Sequence, residues 1–113
     1  MSARAPGRPA RPRLPGRAAG LLLAVAVAAP PVHGADTERG RALYAAHCAT
    51  CHGPNGVPIM PGAPDFTRAN ALMKPDPMLM MGIKLGRNAM PAYNGLLKDR
   101  EILDVIAYLR TLK

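Results

Sequence analysis

The chain has no tryptophan, one phenylalanine and three tyrosines in 113 residues. With so few rings, and no Lys/Arg run after residue 17, a surface that binds nucleic acid by base stacking and phosphate contact is excluded. Nowhere do apolar and polar residues alternate over the length of a strand, so no sheet is expected, and no internal repeat is visible. Cys48 and Cys51 are the only cysteines. A structural zinc site needs four ligands, usually as two pairs, and His47 and His52 crowd the same turn as the cysteines instead of forming a second pair. The apolar stretch over residues 18–29 has 12 residues, against roughly 20 for a membrane-spanning helix.

That short stretch has a meaning of its own. Residues 1–17 carry Arg4, Arg8, Arg11, Arg13 and Arg17 and no acidic group, and they lead into "AAGLLLAVAVAAPPV". Basic, then apolar, then small residues is the order of a secretory leader. Gly34 with Val32 two before it, or Ala35 with His33 two before it, approximates the small-x-small cleavage rule. Residues 1–35 are therefore read as a cleaved signal peptide and residues 36–113 as one mature domain. No twin-arginine pair is present and no cysteine lies near the apolar run, so neither folded-state export nor a lipid anchor is expected. The expected address is the periplasm, with no stable membrane insertion after cleavage. Five of the 15 basic residues leave with the leader, and ten against seven acidic residues give the mature domain a net charge of +3.

A domain of roughly 78 residues has a marginal apolar core and usually recruits a disulfide, metal or cofactor. Its pattern is helical. Asp36 or Thr37 can cap a helix over "TERGRALYAAHC", with Leu43 and Tyr44 on the buried face and Gly40 placed for close packing. Three glycines and four prolines in "GPNGVPIMPGAP" make a loop. Asp76 as cap, Pro77 as first helical residue and Gly86 as stop bracket a short helix. In the last segment Ile102, Val105, Ile106, Leu109 and Leu112 recur at spacings of three and four, while Lys98, Asp99, Asp104 and Arg110 fall between them. This predicts a helix from near Asp99 almost to Lys113, with Asp104 on its polar face. The fold class is all-α, three or more helices joined by long Pro/Gly loops.

The stretch "HCATCHG" decides the chemistry. A disulfide is the ordinary reading of two cysteines in an exported protein, but it does not need a histidine directly after the second one. A thioredoxin-like dithiol needs a βαβ context that is missing here. Cys-x-x-Cys-His as a haem attachment site uses every residue: two thiols on one helical face form thioethers with the haem vinyl groups, and His52 lies under the iron. A buried porphyrin also supplies the apolar surface that the short domain lacks. The expected cofactor is one covalently attached haem c per chain.

The second axial ligand must come from Met60, Met73, Met78, Met80, Met81 or Met90. Methionines mostly fill cores, and Met78, Met80 and Met81 in the short helix are expected to pack. Met90 is favoured. Pro91 pushes it into an extended conformation, and it lies 38 residues beyond His52, enough chain to reach the other haem face. Met60 also precedes a proline, but only eight residues separate it from His52. His47, beside Cys48, is expected at the surface.

These segments resemble the small bacterial kind of monohaem class I cytochrome c over nearly all of residues 37–113. "CATCH" resembles the family's haem-binding segment, and "NAMPAY" followed by "LLKDREILDVIAYLRTL" resembles its sixth-ligand loop and last helix. Gly40 and Tyr44 stand where the family's first and last helices cross, facing Val105 and Tyr108. Pro64, two residues before Phe66, matches the proline whose carbonyl accepts a hydrogen bond from the proximal histidine. Lys98 replaces the family's usual Ser or Thr cap, which predicts a weakly held helix start. The resemblance implies a cytochrome c-like fold wrapped around one haem, His52 and Met90 as iron ligands, and Cys48, Cys51 and Pro64 at the cofactor. It also implies a non-enzymatic, single-electron carrier that meets redox proteins: a periplasmic dehydrogenase or reductase as donor, an oxidase or reductase as acceptor. A five-coordinate gas-binding haem protein, or a haem subunit permanently docked to a dehydrogenase or oxidase, is the alternative.

Overall fold

The computed structural model describes residues 1–16, 20–31 and 33–113. Arg17, Ala18, Ala19 and Val32, on which part of the leader reading rests, lie outside the described residues. The chain divides into two compact units, Met1–Pro30 and Pro31–Lys113. Among its described residues the first forms neither helix nor strand. No helix among the described residues is long and apolar enough to cross a membrane.

The second unit is all-α: α1 (Thr37–His47), α2 (Ala49–His52), a 3₁₀ turn (Ala69–Leu72), α3 (Asp76–Leu85) and α4 (Asp99–Leu109). It begins a few residues before the expected cleavage point, because the carbonyls of His33 (3.0 Å) and Gly34 accept hydrogen bonds from the Arg100 guanidinium. Asp36 caps α1, its carboxylate accepting the Arg39 N–H at 3.0 Å. α2 follows at once, across a break at Cys48.

Three helix ends differ from the expectation. Pro75, not Asp76, caps α3; Asp76 and Pro77 occupy its first two positions, where a missing N–H and a negative charge both suit the helix start. The start of α4 is half capped. A lysine side chain has no acceptor, but Glu101 reaches back to the Lys98 N–H at 2.8 Å. α4 stops at Leu109 rather than near Lys113. Arg110 swings out to Asp76 (Nε at 3.0 Å) and the carbonyls of Leu72 and Lys74, while Thr111 and Leu112 close tight i→i+3 turns onto Tyr108 and Leu109.

α1 crosses α4 at Gly40. A Cβ there would sit 1.9 Å from the Asp104 carbonyl oxygen, so only glycine allows this approach. Tyr44 then meets Tyr108 with ring centroids 5.3 Å apart, inside a cluster with Val105 and Leu109. The other side of α4 carries Ile102 and Ile106, packed with Tyr93 and Leu97 and flanked by Leu79, Met80 and Ile83 of α3. One polar residue breaks the pattern. Asp104, read from its spacing as part of the exposed face, is fully buried; it accepts the Asp36 N–H at 2.7 Å and Arg39 Nε at 2.6 Å, with Arg100 at 3.5 Å. A buried carboxylate needs such partners.

Candidate haem site

A cavity of about 650 Å³ lies among all of these elements. α1 gives it Tyr44 and His47; the break and α2 give it Cys48, Cys51 and His52. The following loop adds Met60, Pro64 and Phe66, α3 adds Met78, Leu79, Gly82 and Ile83, and the loop after α3 adds Met90, Pro91 and Tyr93. Val105 and Leu109 of α4 complete it. Cys48, Cys51, His52, Pro64 and the favoured Met90 all face this one space, as do Met60 and Met78, whereas Met73, Met80 and Met81 do not line it.

The thiols of Cys48 and Cys51 are free and half-buried. Burial, and then the proximity of Cys51, push the Cys48 thiol up to about 11, so it is a neutral thiol at ordinary pH. A reactive redox dithiol would show the opposite shift. His52 is buried, and burial pushes its pKa below the usual histidine value, with the Pro64 carbonyl pulling the other way. Its Nδ1 nevertheless closes no hydrogen bond of standard geometry. Phe66 stacks on the imidazole at 4.6 Å and 22°. The end of α2 is pinned from behind, where the Tyr44 hydroxyl donates to the carbonyls of Gly53 (2.6 Å) and His52 (3.2 Å). Ile59 and Met60 both donate their N–H to the Cys51 carbonyl at 3.0 Å, which folds their loop onto the cysteine segment.

Met90 is presented by a tight turn. Arg87 and Met90 exchange backbone hydrogen bonds of 3.1 and 2.9 Å, with Asn88 at φ 53° between them. Gly86, at φ 69°, permits the approach of this backbone, since a Cβ would lie 2.5 Å from the Met90 carbonyl oxygen. The helical methionines divide differently from expectation. Met80 packs into the core, whereas Met78 and Met81 are both 56% exposed, because the inward stripe of α3 is Leu79, Met80 and Ile83. His47 is also displaced from its expected place: half-buried, it lines the cavity, with Tyr93 edge-on to its ring at 6.1 Å.

Sequence reasoning missed three contributions. Phe66 registered only as a replacement for leucine, not as a stacking partner of His52. Tyr93 stood in "NAMPAY" without a role. Lys74 and Arg87 line the cavity, neither forms an ion pair among the described residues, and no carboxylate lines it. Two unpaired cations facing a ligand space were a signal available only from three dimensions.

The residues present fit a haem. Two free thiols, an imidazole beside the second, an apolar wall and a volume within the roughly 300–1,000 Å³ of cofactor sites form a consistent set. A Cys-x-x-Cys-His segment bordering such a cavity defines a c-type cytochrome. Comparison with known proteins agrees. The family model for cytochrome c oxidase, cbb3-type, subunit III matches residues 35–109. Cytochrome c6 of Pyropia tenera is 35% identical over 78 residues, covering 66% of this chain and 91% of that protein. Cytochrome c6 of Bumilleriopsis filiformis is 37% identical over 78 residues, covering 66% and 90%. Among solved structures, the KustC0563 c-type cytochrome is similar with a TM-score of 0.60 and 28% identity, over 66% of this chain and 96% of that one. The chain belongs to the monohaem class I cytochrome c family. It carries one covalently attached haem c and acts as a single-electron carrier.

Proposed function

We propose that the chain is exported to the periplasm, loses residues 1–35 and shuttles one electron at a time between redox proteins, with His52 and Met90 as the two iron ligands. The observation that carries this reading is the convergence of Cys48, Cys51 and His52 from one segment and Met90 from another, 38 residues further on, on one cavity. Bound haem supplies a one-electron ferric/ferrous couple, whose potential a thioether ligand raises.

The chain's own residues do the rest. Cys48 and Cys51 hold the group by thioether bonds. The Pro64 carbonyl lies near enough to the His52 ring to raise its pKa, and as an acceptor for one ring N–H it would orient the imidazole and leave the other nitrogen for the metal. Phe66 limits its rotation. Lys74 and Arg87, which line the cavity without a carboxylate partner, would oppose the negative charge of the haem propionates, and the apolar lining would exclude water. With His52 and Met90 both bound to it, the iron would have no open site for a substrate, and the domain would work as a carrier and not an enzyme. Partners meet it through a small, short-lived interface of under about 1,200 Å². At a net charge of +3, steering toward them is mild and weakens with salt.

Carbon monoxide tests the reading. The reduced protein at neutral pH is expected to bind it slowly and substoichiometrically. Rapid stoichiometric binding would mean an open iron and a gas-binding protein instead.

A further inference from the structure

The loop that presents Met90, residues 86–97, is tied to α3 by its backbone: Tyr93 N–H donates to the Ile83 carbonyl and Asn94 N–H to that of Lys84, both at 3.1 Å. None of those bonds reaches the segment that attaches the haem. One side chain does. The Tyr93 hydroxyl donates to the His47 carbonyl at 2.7 Å, across 46 residues of sequence. Among the described residues this is the one hydrogen bond between that loop and α1 or α2. His47 ends α1 and immediately precedes Cys48, and carbonyls in a last helical turn have no partner within their own helix.

We propose that Tyr93 is a positioning residue: its hydroxyl latches the Met90 loop to the cysteine-bearing segment, and so governs how firmly Met90 stays in the haem cavity. One element carries Met90 and the other runs into Cys48, Cys51 and His52, and the latch joins the two directly. Tyr93 is 8% exposed, and its ring packs with Leu97, Ile102 and Ile106, with Met90 against the same cluster. The ring and the hydroxyl therefore do separable things. The ring fills the core, while the hydroxyl reaches past it to the end of α1. This inference rests on Met90 as the distal ligand.

Tyr93→Phe separates the two, since it keeps the ring and removes one hydrogen bond. In the haem-loaded protein, amide hydrogen exchange at Arg87 and Met90 is expected to accelerate about five- to tenfold, while amides of α4 from Ile102 to Leu109 stay within about twofold. The sulfur-to-iron absorption band of the oxidised variant is expected to fade at a lower temperature than in the parent. Equal acceleration in the loop and in α4 would make Tyr93 a core residue only and overturn the proposal, as would unchanged exchange at Arg87 and Met90. A parent protein without the band would refute Met90 as ligand, and the exchange comparison, which requires no iron–sulfur bond, would still decide the latch.

Discussion

Where α1 crosses α4 the polypeptide completes itself, and along α3 it does not. At the crossing Tyr44, Val105 and Leu109 are at most 5% exposed, and Asp104 is fully buried, held by Asp36, Arg39 and Arg100 at the surface. α3 has no buried residue, although Met78, Leu79, Gly82 and Ile83 all face the cavity. Both segments are rich in apolar residues, so the difference lies in what each packs against. The crossing was built from side chains alone. The α3 wall was built against a surface that the chain does not encode, and the haem supplies it. Apolar surface left open around a cavity marks the position of a partner, while the same exposure on a plain surface would mark nothing.

The largest expected effect breaks the comparison by withholding that partner. Cys48→Ala with Cys51→Ala prevents covalent attachment, and the crossing by itself is too small a core to hold the unit Pro31–Lys113 folded. Circular dichroism of the haem-free variant should show no cooperative thermal transition. A cooperative transition like that of the parent would mean that the wall stands without haem.

Next in size is an attack on the crossing itself. Gly40→Leu places a side chain against the Asp104 backbone carbonyl, which cannot turn away without moving α4. A loss of about 3 kcal/mol, the upper end for overpacking, is expected in denaturant unfolding of the haem-loaded protein. Unchanged stability would argue that the helices do not approach there.

A subtler probe of the same region is pH. Burial raises the Tyr44 hydroxyl from 10.0 to about 12. The folded form holds this proton more tightly than the unfolded chain, so its contribution is complete below pH 10 and is lost as pH rises toward 12. Tyr44→Phe should cost about 1 kcal/mol at neutral pH through the lost bonds to Gly53 and His52, and should flatten the decline in that window. An unchanged alkaline profile would remove Tyr44 as its source. The smallest effect belongs to the wall's outer face: Met81→Ser should change stability by under about 0.5 kcal/mol. A larger loss would mean that Met81 packs against something in the haem-loaded protein.

How much of this was legible in the sequence follows the range of the interactions involved. Cys48, Cys51 and His52 are adjacent in the chain and could be read together, as could the Asp36 cap and the apolar stripe of α4. Gly40 and Tyr44 were read from the helix pattern as packing positions and their partner helix through the family resemblance, and the structure shows the crossing they imply. Contacts made across the fold were not legible. Asp104 falls among polar positions by spacing, but Asp36, Arg39 and Arg100 converge on it only after α1 and α4 meet. Phe66 and Tyr93 owe their roles to His52 and His47, partners far away in sequence. The early end of α4 depends on Asp76, which attracts Arg110 out of the helix from another element. Met78 and Met81 were expected to pack because helical methionines usually do; Met78 faces the cavity, where its partner is a haem rather than a side chain, and Met81 points to the outer face.

The central claim is that the open half of the domain closes on a haem held between His52 and Met90. The most direct test is the sulfur-to-iron absorption band of the oxidised, haem-loaded protein, measured in the parent and in Met90→Ala and Met60→Ala. The account predicts the band in the parent and in Met60→Ala, and its loss in Met90→Ala together with a lower potential and an iron open to carbon monoxide. A band that survives Met90→Ala and disappears in Met60→Ala would contradict the ligand assignment, and a parent without the band would contradict the His/Met carrier itself.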